Sequence, residues 1–301
     1  MTNEGIGARG ILAGAWHDIT TKHIMTMAAG LSYYFVFSMF PMLIVLAAML
    51  AYLPIPNLFP AILNALAQVA PQESMGLVRL VVATVVKPHG GLLTFGILGT
   101  VWTASSGFAA LIEALDVAYD VPETRPLWKT RGLALCLMLV VGFLFSGSLA
   151  LLLLGPSITG WMQRTTGMDE WLQMWPYAKW ALAMAFAVIG VEIVFYWAPN
   201  VKQRFWATLP GAVIGVGFFL GSSWALGVYF RYFAHFNRTY GVLGGAIALL
   251  VWLYYSWFAI LVGAEINAEL LKASSGGQLE LKQKPPEAVR PVEPWEAKPA
   301  A

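Results

Sequence analysis

Charge is scarce in this chain: only 11% of its 301 residues are Asp, Glu, Lys or Arg, less than half the share usual in soluble domains. Cysteine occurs once, as Cys136, which excludes an intramolecular disulfide and a thiolate-based metal site. The four histidines, His17, His23, His89 and His235, are spread along the chain and do not form the clustered ligand set that metal-dependent hydrolysis requires. There is no G-x-x-x-x-G-K-S/T phosphate loop and no G-x-S-x-G elbow, so neither ATP hydrolysis nor serine-hydrolase chemistry is expected. The start of the chain lacks the basic, apolar and small-residue order of a cleaved signal peptide, so the first apolar run is expected to serve as the anchor. Neither enzyme chemistry nor a cofactor is expected.

Apolar residues make up 58% of the chain. Runs without a charged side chain extend over residues 23–72, 88–112, 132–163, 205–230 and 239–264, each longer than the roughly 20 residues needed to cross a bilayer core. A shorter run, 178–197, is interrupted only by Glu192. The fold class that follows is all-α: a polytopic membrane protein with about six transmembrane helices plus amphipathic surface helices. The spans are expected at about 27–53, 92–115, 133–154, 178–198, 207–229 and 240–264, within a membrane domain covering 27–272. Residues 1–26 are expected to form an interfacial helix, and residues 273–301, rich in Ser, Gly, Pro, Lys and Glu, a disordered tail. With six spans both termini share a side, and that side holds twelve of the eighteen Lys and Arg residues. The positive-inside rule therefore places both termini in the cytoplasm.

Residues 57–91 repeat apolar positions at helical spacing between polar ones and are expected to lie on the outer surface as amphipathic helices. Trp161, Trp171, Trp175, Tyr177 and Trp180 are expected in an outer loop, at the level of an aromatic belt. In the fifth span Gly211 pairs with Gly215 and Gly217 with Gly221, and Gly241 pairs with Gly245 at the start of the sixth. Each pair has the small-xxx-small spacing that lets helix backbones approach closely. Packing within the chain is the plain use of these glycines; a homo-oligomer is the alternative.

Acids at membrane depth are costly and mark candidate functional positions. Glu113 and Asp116 close the second span, Glu192 lies near the end of the fourth, and Glu265 and Glu269 close the sixth. All sit toward helix C-termini, where the macrodipole disfavours negative charge, so compensating cations such as Arg131 and Arg204 are expected nearby. One reading is a structural ion-pair cluster; the other is a polar gate in which Glu113, Glu192 and Glu265 act together. Tyr33, Trp102, Ser105 and Ser106 are candidate cavity-lining residues. Membrane lipids are the expected partners, and no nucleic acid is expected.

Three stretches carry a family resemblance: AAGLSYYFVFSMFPMLIVL at 28–46, VWTASSGFAALIEALDVAYD at 101–120 and YGVLGGAIALLVWLYYSWFAILVGAEINAEL at 240–270. They resemble the YihY/BrkB family of bacterial inner-membrane proteins, over about residues 10–272. The positions that fit its recurrent pattern are Tyr33, Pro41, Trp102, Ser105, Tyr240, Gly241, Trp252, Gly263, Glu265 and Asn267. The resemblance implies a six-helix domain in the inner membrane with cytoplasmic termini. It also implies a transporter or exporter of a lipid-like or small amphipathic solute, with a non-catalytic scaffold or envelope assembly factor as the alternative. Members have carried the labels virulence factor and ribonuclease BN. The second finds no metal cluster or basic RNA-binding surface in this sequence.

Overall fold

A computed structural model describes residues 8–52, 90–166, 169–232, 242–277 and 279–283. Seven α-helices account for almost all of these: α1 (Ala8–Thr21), α2 (Ile24–Tyr52), α3 (Gly90–Ala118), α4 (Leu127–Thr166), α5 (Asp169–Trp197), α6 (Leu209–Tyr232) and α7 (Val242–Ser274). A single 3₁₀ turn, Phe205–Ala207, precedes α6. No strand occurs among the described residues beyond an isolated antiparallel bridge between Val201 and Leu281. The expected outer region 57–91 lies outside the described residues except for its last two positions, as do Tyr240 and Gly241.

Among the described residues five helices carry stretches long and apolar enough to cross a membrane: Thr94–Ala118, Leu127–Ser148, Tyr177–Trp197, Leu209–Phe230 and Ile247–Ser274. Helix α2 has 29 residues with Pro41 inside it, and its described side chains form an apolar segment over Ile24–Ser38. The surface of these helices is the reverse of a soluble protein's. Phe143 is 79% exposed and Trp102 and Trp224 are exposed to a similar degree, whereas Asp116, Glu192, Asn200, Thr208, Glu265 and Asn267 are buried. Hydrocarbon accepts the former without penalty, and polar groups inside such a bundle must find partners within the protein.

Helices pack chiefly as pairs, α2 on α3, α4 on α5 and α6 on α7, with α7 also resting on α1 and α2. Glycine sets the α6–α7 approach. A Cβ at Gly211 would collide with the Gly263 carbonyl and the Asn267 amide, and one at Gly215 would lie 3.3 Å from the Ala259 carbonyl oxygen. Gly217 and Gly221 correct the expectation: a Cβ at either meets nothing within 4 Å. At about 100° per residue, Gly217 lies about 160° around α6 from Gly215. Gly245 lies on α7, but its surroundings, like Gly241 itself, fall outside the described residues.

Two further expectations change. The aromatic residues assigned to an outer loop lie on helices, Trp161 on α4 and Trp171, Trp175, Tyr177 and Trp180 on α5; the amphipathic indole suits helix ends as well as loops. The tail expected to be disordered from 273 docks again. Lys202 N–H donates to the Glu280 carbonyl at 2.7 Å, Lys282 N–H donates to the Asn200 carbonyl at 3.2 Å, and Leu279 and Leu281 pack on the core. Two leucines and a short backbone ladder suffice to hold this segment against the end of α5.

Candidate functional site

The polar residues gather at one end of the bundle, where α1, α3, α5 and α7 finish and α2, α4 and α6 begin. Helix α3 ends in a Schellman motif: Asp120 N–H donates to the Val117 carbonyl and Val121 N–H to the Asp116 carbonyl. Asp120 occupies the left-handed position, with φ of 54°, where glycine is usual. Its carboxylate explains the exception. Asp120 Oδ2 lies 2.9 Å from Lys22 Nζ and 2.6 Å from Lys272 Nζ, so the turn delivers an acid to two cations.

Lys22, at the corner between α1 and α2, also meets Asp18 at 2.7 Å and Glu265 at 3.4 Å, and donates to the Ala118 carbonyl at 2.8 Å. Lys272 bonds Glu269 at 2.9 Å and Asp18 at 3.2 Å. These pairs tie α1, α3 and α7 together. Burial works against charge on Asp18, but the hydrogen bonds from Lys22 and Lys272 outweigh it and hold its carboxyl below the ordinary 3.8. Because the folded value is the lower one, this stabilisation is complete above about pH 4 and fades as acid takes the pH down through the folded value. Asp18→Asn is expected to flatten the acid limb of the stability curve, measured by thermal unfolding in detergent from neutral pH downward. A limb of unchanged steepness would remove Asp18 from the account.

A second network joins α3 to α5. Asp116 Oδ1 accepts from Asn200 N–H at 2.7 Å, and Asp116 Oδ2 lies 3.4 Å from Arg125 Nη2, which also bonds Glu123 at 2.8 Å and the Ala198 carbonyl at 2.7 Å. The Asn200 side chain donates to Thr124 Oγ1 at 2.8 Å and accepts from Gln283 N–H at 3.1 Å. The docked tail is thus part of the network. Burial opposes charge on Glu123, yet pairing with Arg125 prevails and holds its carboxyl below the ordinary range.

A third set is buried between α5, the start of α6 and α7. Thr208 donates to Glu192 Oε1 at 2.6 Å, and Asn267 donates to the Thr208 carbonyl at 2.6 Å while accepting from Gly211 N–H at 2.8 Å. Asn267 thereby fixes the start of α6 to α7 at the point where Gly211 and Gly263 touch.

Helices α2, α3 and α4 frame a groove of about 460 Å³, lined by Tyr34, Ser106, Glu113, Arg125 and Arg131 among others. Arg131 Nη1 donates to Ser106 Oγ at 2.9 Å, and its guanidinium lies 5.5 Å from the centre of the exposed Trp102 ring. Arg131 makes no ion pair among the described residues.

The structure therefore divides the residues singled out from sequence. Glu192 and Glu265 share the buried interior, whereas Glu113 is exposed in the groove; a three-acid gate including Glu113 is corrected to a two-acid core. Glu113 lies about 160° around α3 from the fully buried Leu115, which turns it outward. Arg204 is exposed and makes no ion pair among the described residues, so it does not serve the acids. Ser106 lines the groove and Trp102 stands beside it against Arg131, but Ser105 is buried and donates to the Trp102 carbonyl within its own helix. Tyr33 is exposed and stacks on Phe37. Lys22, Tyr119, Asp120, Asn200 and Thr208 were not singled out, because lone polar residues at helix ends resemble ordinary caps and loops. Among the described residues no three His, Cys, Asp or Glu side chains gather as metal ligands.

The family described as Virulence factor BrkB matches residues 15–288. A protein named ribonuclease-like YfkH, from Bacillus subtilis, is 34% identical over 247 residues, covering 81% of this chain and 89% of the relative. A UPF0761 membrane protein of Tolumonas auensis is 27% identical over 263 residues, covering 85% of this chain and 82% of the relative. Another, from Stenotrophomonas maltophilia, is 24% identical over 85% of this chain and 59% of its own length. No solved structure matches the chain.

Proposed function

The chain belongs to the Virulence factor BrkB family and is an integral membrane protein, and from that premise we propose that it binds and moves a lipid-like amphipath across the bacterial inner membrane. In this reading it is a transporter and no enzyme, with membrane lipids as its partners and both termini in the cytoplasm. The observation that carries it is the groove between α2, α3 and α4. Arg131, a cation with no ion-pair partner among the described residues, stands there bonded to Ser106 and against the exposed face of Trp102, with Glu113 and Glu123 along the same walls. Guanidinium takes phosphate or carboxylate oxygens through paired hydrogen bonds, and the carboxylates accept from amino or hydroxyl groups. The occupant's polar end therefore carries an anionic group together with hydrogen-bond donors. Its acyl portion would lie along the apolar outer faces of α3 and α4.

The test is native mass spectrometry of protein purified in mild detergent, paired with transfer of labelled lipid between leaflets of reconstituted vesicles. A discrete retained lipid is expected, and Arg131→Gln should lower its occupancy tenfold or more, since a hydrogen bond to a charged group contributes roughly 1.5–3 kcal/mol. Transfer should fall in parallel. Bulk lipid alone, unaffected by the substitution, would overturn the reading, as would chelation-sensitive RNA hydrolysis by the purified protein.

A further inference from the structure

The Thr208 hydroxyl carries one hydrogen and has two acceptor oxygens in reach, Glu192 Oε1 at 2.6 Å and the Phe205 carbonyl at 2.8 Å. Both contacts have the length of a full hydrogen bond, and one hydrogen cannot serve both. With Glu192 ionised, the hydroxyl donates to the carboxylate, and the Phe205 carbonyl keeps only the Thr208 N–H at 3.3 Å. With a proton on Glu192 the count closes. Glu192 Oε1–H then donates to Thr208 Oγ1, and the Thr208 hydroxyl donates to the Phe205 carbonyl.

The surroundings argue the same way. Glu192 is 1% exposed, and its other oxygen, Oε2, has no hydrogen-bond partner among the described residues. The other two buried acids among the described residues each have a cation, Asp116 with Arg125 and Glu265 with Lys22, both at 3.4 Å. Glu192 has the neutral Thr208 alone. A carboxylate taken out of water with one neutral donor is poorly compensated, whereas a neutral acid leaves only a carbonyl oxygen unpaired. The nearby start of α6 favours negative charge, but that preference is small beside the cost of desolvating an unpaired carboxylate.

We propose that Glu192 is a proton-binding site, holding its proton against Thr208 in the folded chain, and that this proton latches the start of α6 to α5. The latch extends to α7, because the Thr208 carbonyl accepts from the Asn267 amide, which in turn accepts from Gly211 N–H. On release the O–H bond at Glu192 Oε1 breaks, its electron pair stays on the carboxylate and the proton passes to water. The Thr208 hydroxyl turns to the carboxylate and leaves the Phe205 carbonyl, so the 3₁₀ turn Phe205–Ala207 loses the bond that closes it onto α6.

The charged and titratable groups around Glu192 are these, element by element. On α5 itself Lys179 lies more than three turns earlier, and Tyr196 packs on Phe205 with Lys282 over its ring. Helix α4 presents Leu144 to Gly190, the turn before Glu192; its Lys129 bonds Gln283, its Arg131 bonds Ser106 and its Cys136 is exposed. Before α6, Arg204 is exposed and Gln203 donates to the Phe195 carbonyl. Helix α7 brings Glu265, paired with Lys22, and the neutral Asn267. The end of α3 brings the neutral Tyr119 phenol, and Asp116, held by Arg125 and Asn200.

The experiment is infrared spectroscopy of the full chain in lipid nanodiscs, comparing the unsubstituted protein with Glu192→Gln at neutral pH and then as pH is raised at constant salt. The difference between the two is expected to show a protonated-carboxyl band at neutral pH. An ionised-carboxylate band in its place overturns the proposal, and so does a protonated band that sodium abolishes at fixed pH, which assigns the site to a metal cation. Once the pH is high enough for the band to fade, hydrogen exchange at the Gly211 and Ala212 amides, corrected for its intrinsic rate, should quicken in the unsubstituted protein by up to about tenfold, the loss of one hydrogen bond. Glu192→Gln should show no such change; equal behaviour in the two proteins overturns the latch. Should Glu192→Gln not fold, Thr208→Val in ¹³C-glutamate-labelled protein replaces it: a shifted protonated-carboxyl band supports the site and an unshifted one overturns it. Neither readout depends on lipid in the groove, so the groove and this site stand or fall separately.

Discussion

Replacing Gly211 by alanine is expected to destabilise the folded chain by about 1–3 kcal/mol, although alanine is the better helix former by about 1 kcal/mol. The new Cβ would be driven into the Gly263 carbonyl, a backbone atom fixed in α7's own ladder, and into the Asn267 amide. Neither can retreat cheaply. Asn267 is already engaged with Gly211 N–H at 2.8 Å and with the Thr208 carbonyl at 2.6 Å, so separating the helices to admit one methyl also breaks both bonds. Gly217→Ala is the matched control, since it meets nothing within 4 Å and should be neutral or slightly stabilising. Thermal unfolding in detergent, followed by size-exclusion chromatography with fluorescence detection, separates the two. Equal melting temperatures for both variants would show that the α6–α7 approach does not depend on that glycine.

Arg125→Ala should be more damaging still, at about 3–5 kcal/mol, because it leaves a buried acid without its cation. The Arg125 side chain is only 9% exposed and Asp116 only 4%. Removing the guanidinium leaves Asp116 with the Asn200 N–H as its remaining donor and strips the Ala198 carbonyl of its side-chain partner. Through Asn200 the damage extends to Gln283 and the docked tail. Asp116→Asn in the same chain should restore part of the loss, since it removes the charge that Arg125 had offset. A double-mutant cycle measures that coupling. If the two substitutions simply add, the pair at 3.4 Å contributes nothing to stability.

The helical class and the family were legible in the sequence because both rest on long apolar runs and on motifs contiguous in the chain. The division of labour among the acids was not. Glu113, Asp116 and Glu192 all lie near helix C-termini, and depth in the membrane cannot separate an acid turned outward from one turned inward. Rotation about the helix could have helped in one case: the pairs Gly211/Gly215 and Gly217/Gly221 lie about 120° apart around α6, so only one of them can meet α7 squarely. Asn200 and Thr208 gave no such signal, for each looks like an ordinary turn residue until α3 and α7 are brought against it. The docked tail was illegible for a different reason. Its few apolar side chains fall below any compositional threshold, and it is held instead by backbone bonds to residues some eighty positions earlier.

Helix α4 runs for 40 residues, about 60 Å at 1.5 Å per residue, against a hydrocarbon core of about 30 Å. Lying wholly within that core would require a tilt of about 60°, beyond the range of about 0–40° that membrane helices adopt. Even at a tilt of about 40°, about 16 Å of α4 lies outside the hydrocarbon core, so the turn into α5 reaches the headgroup level, where the surrounding tryptophans are at home.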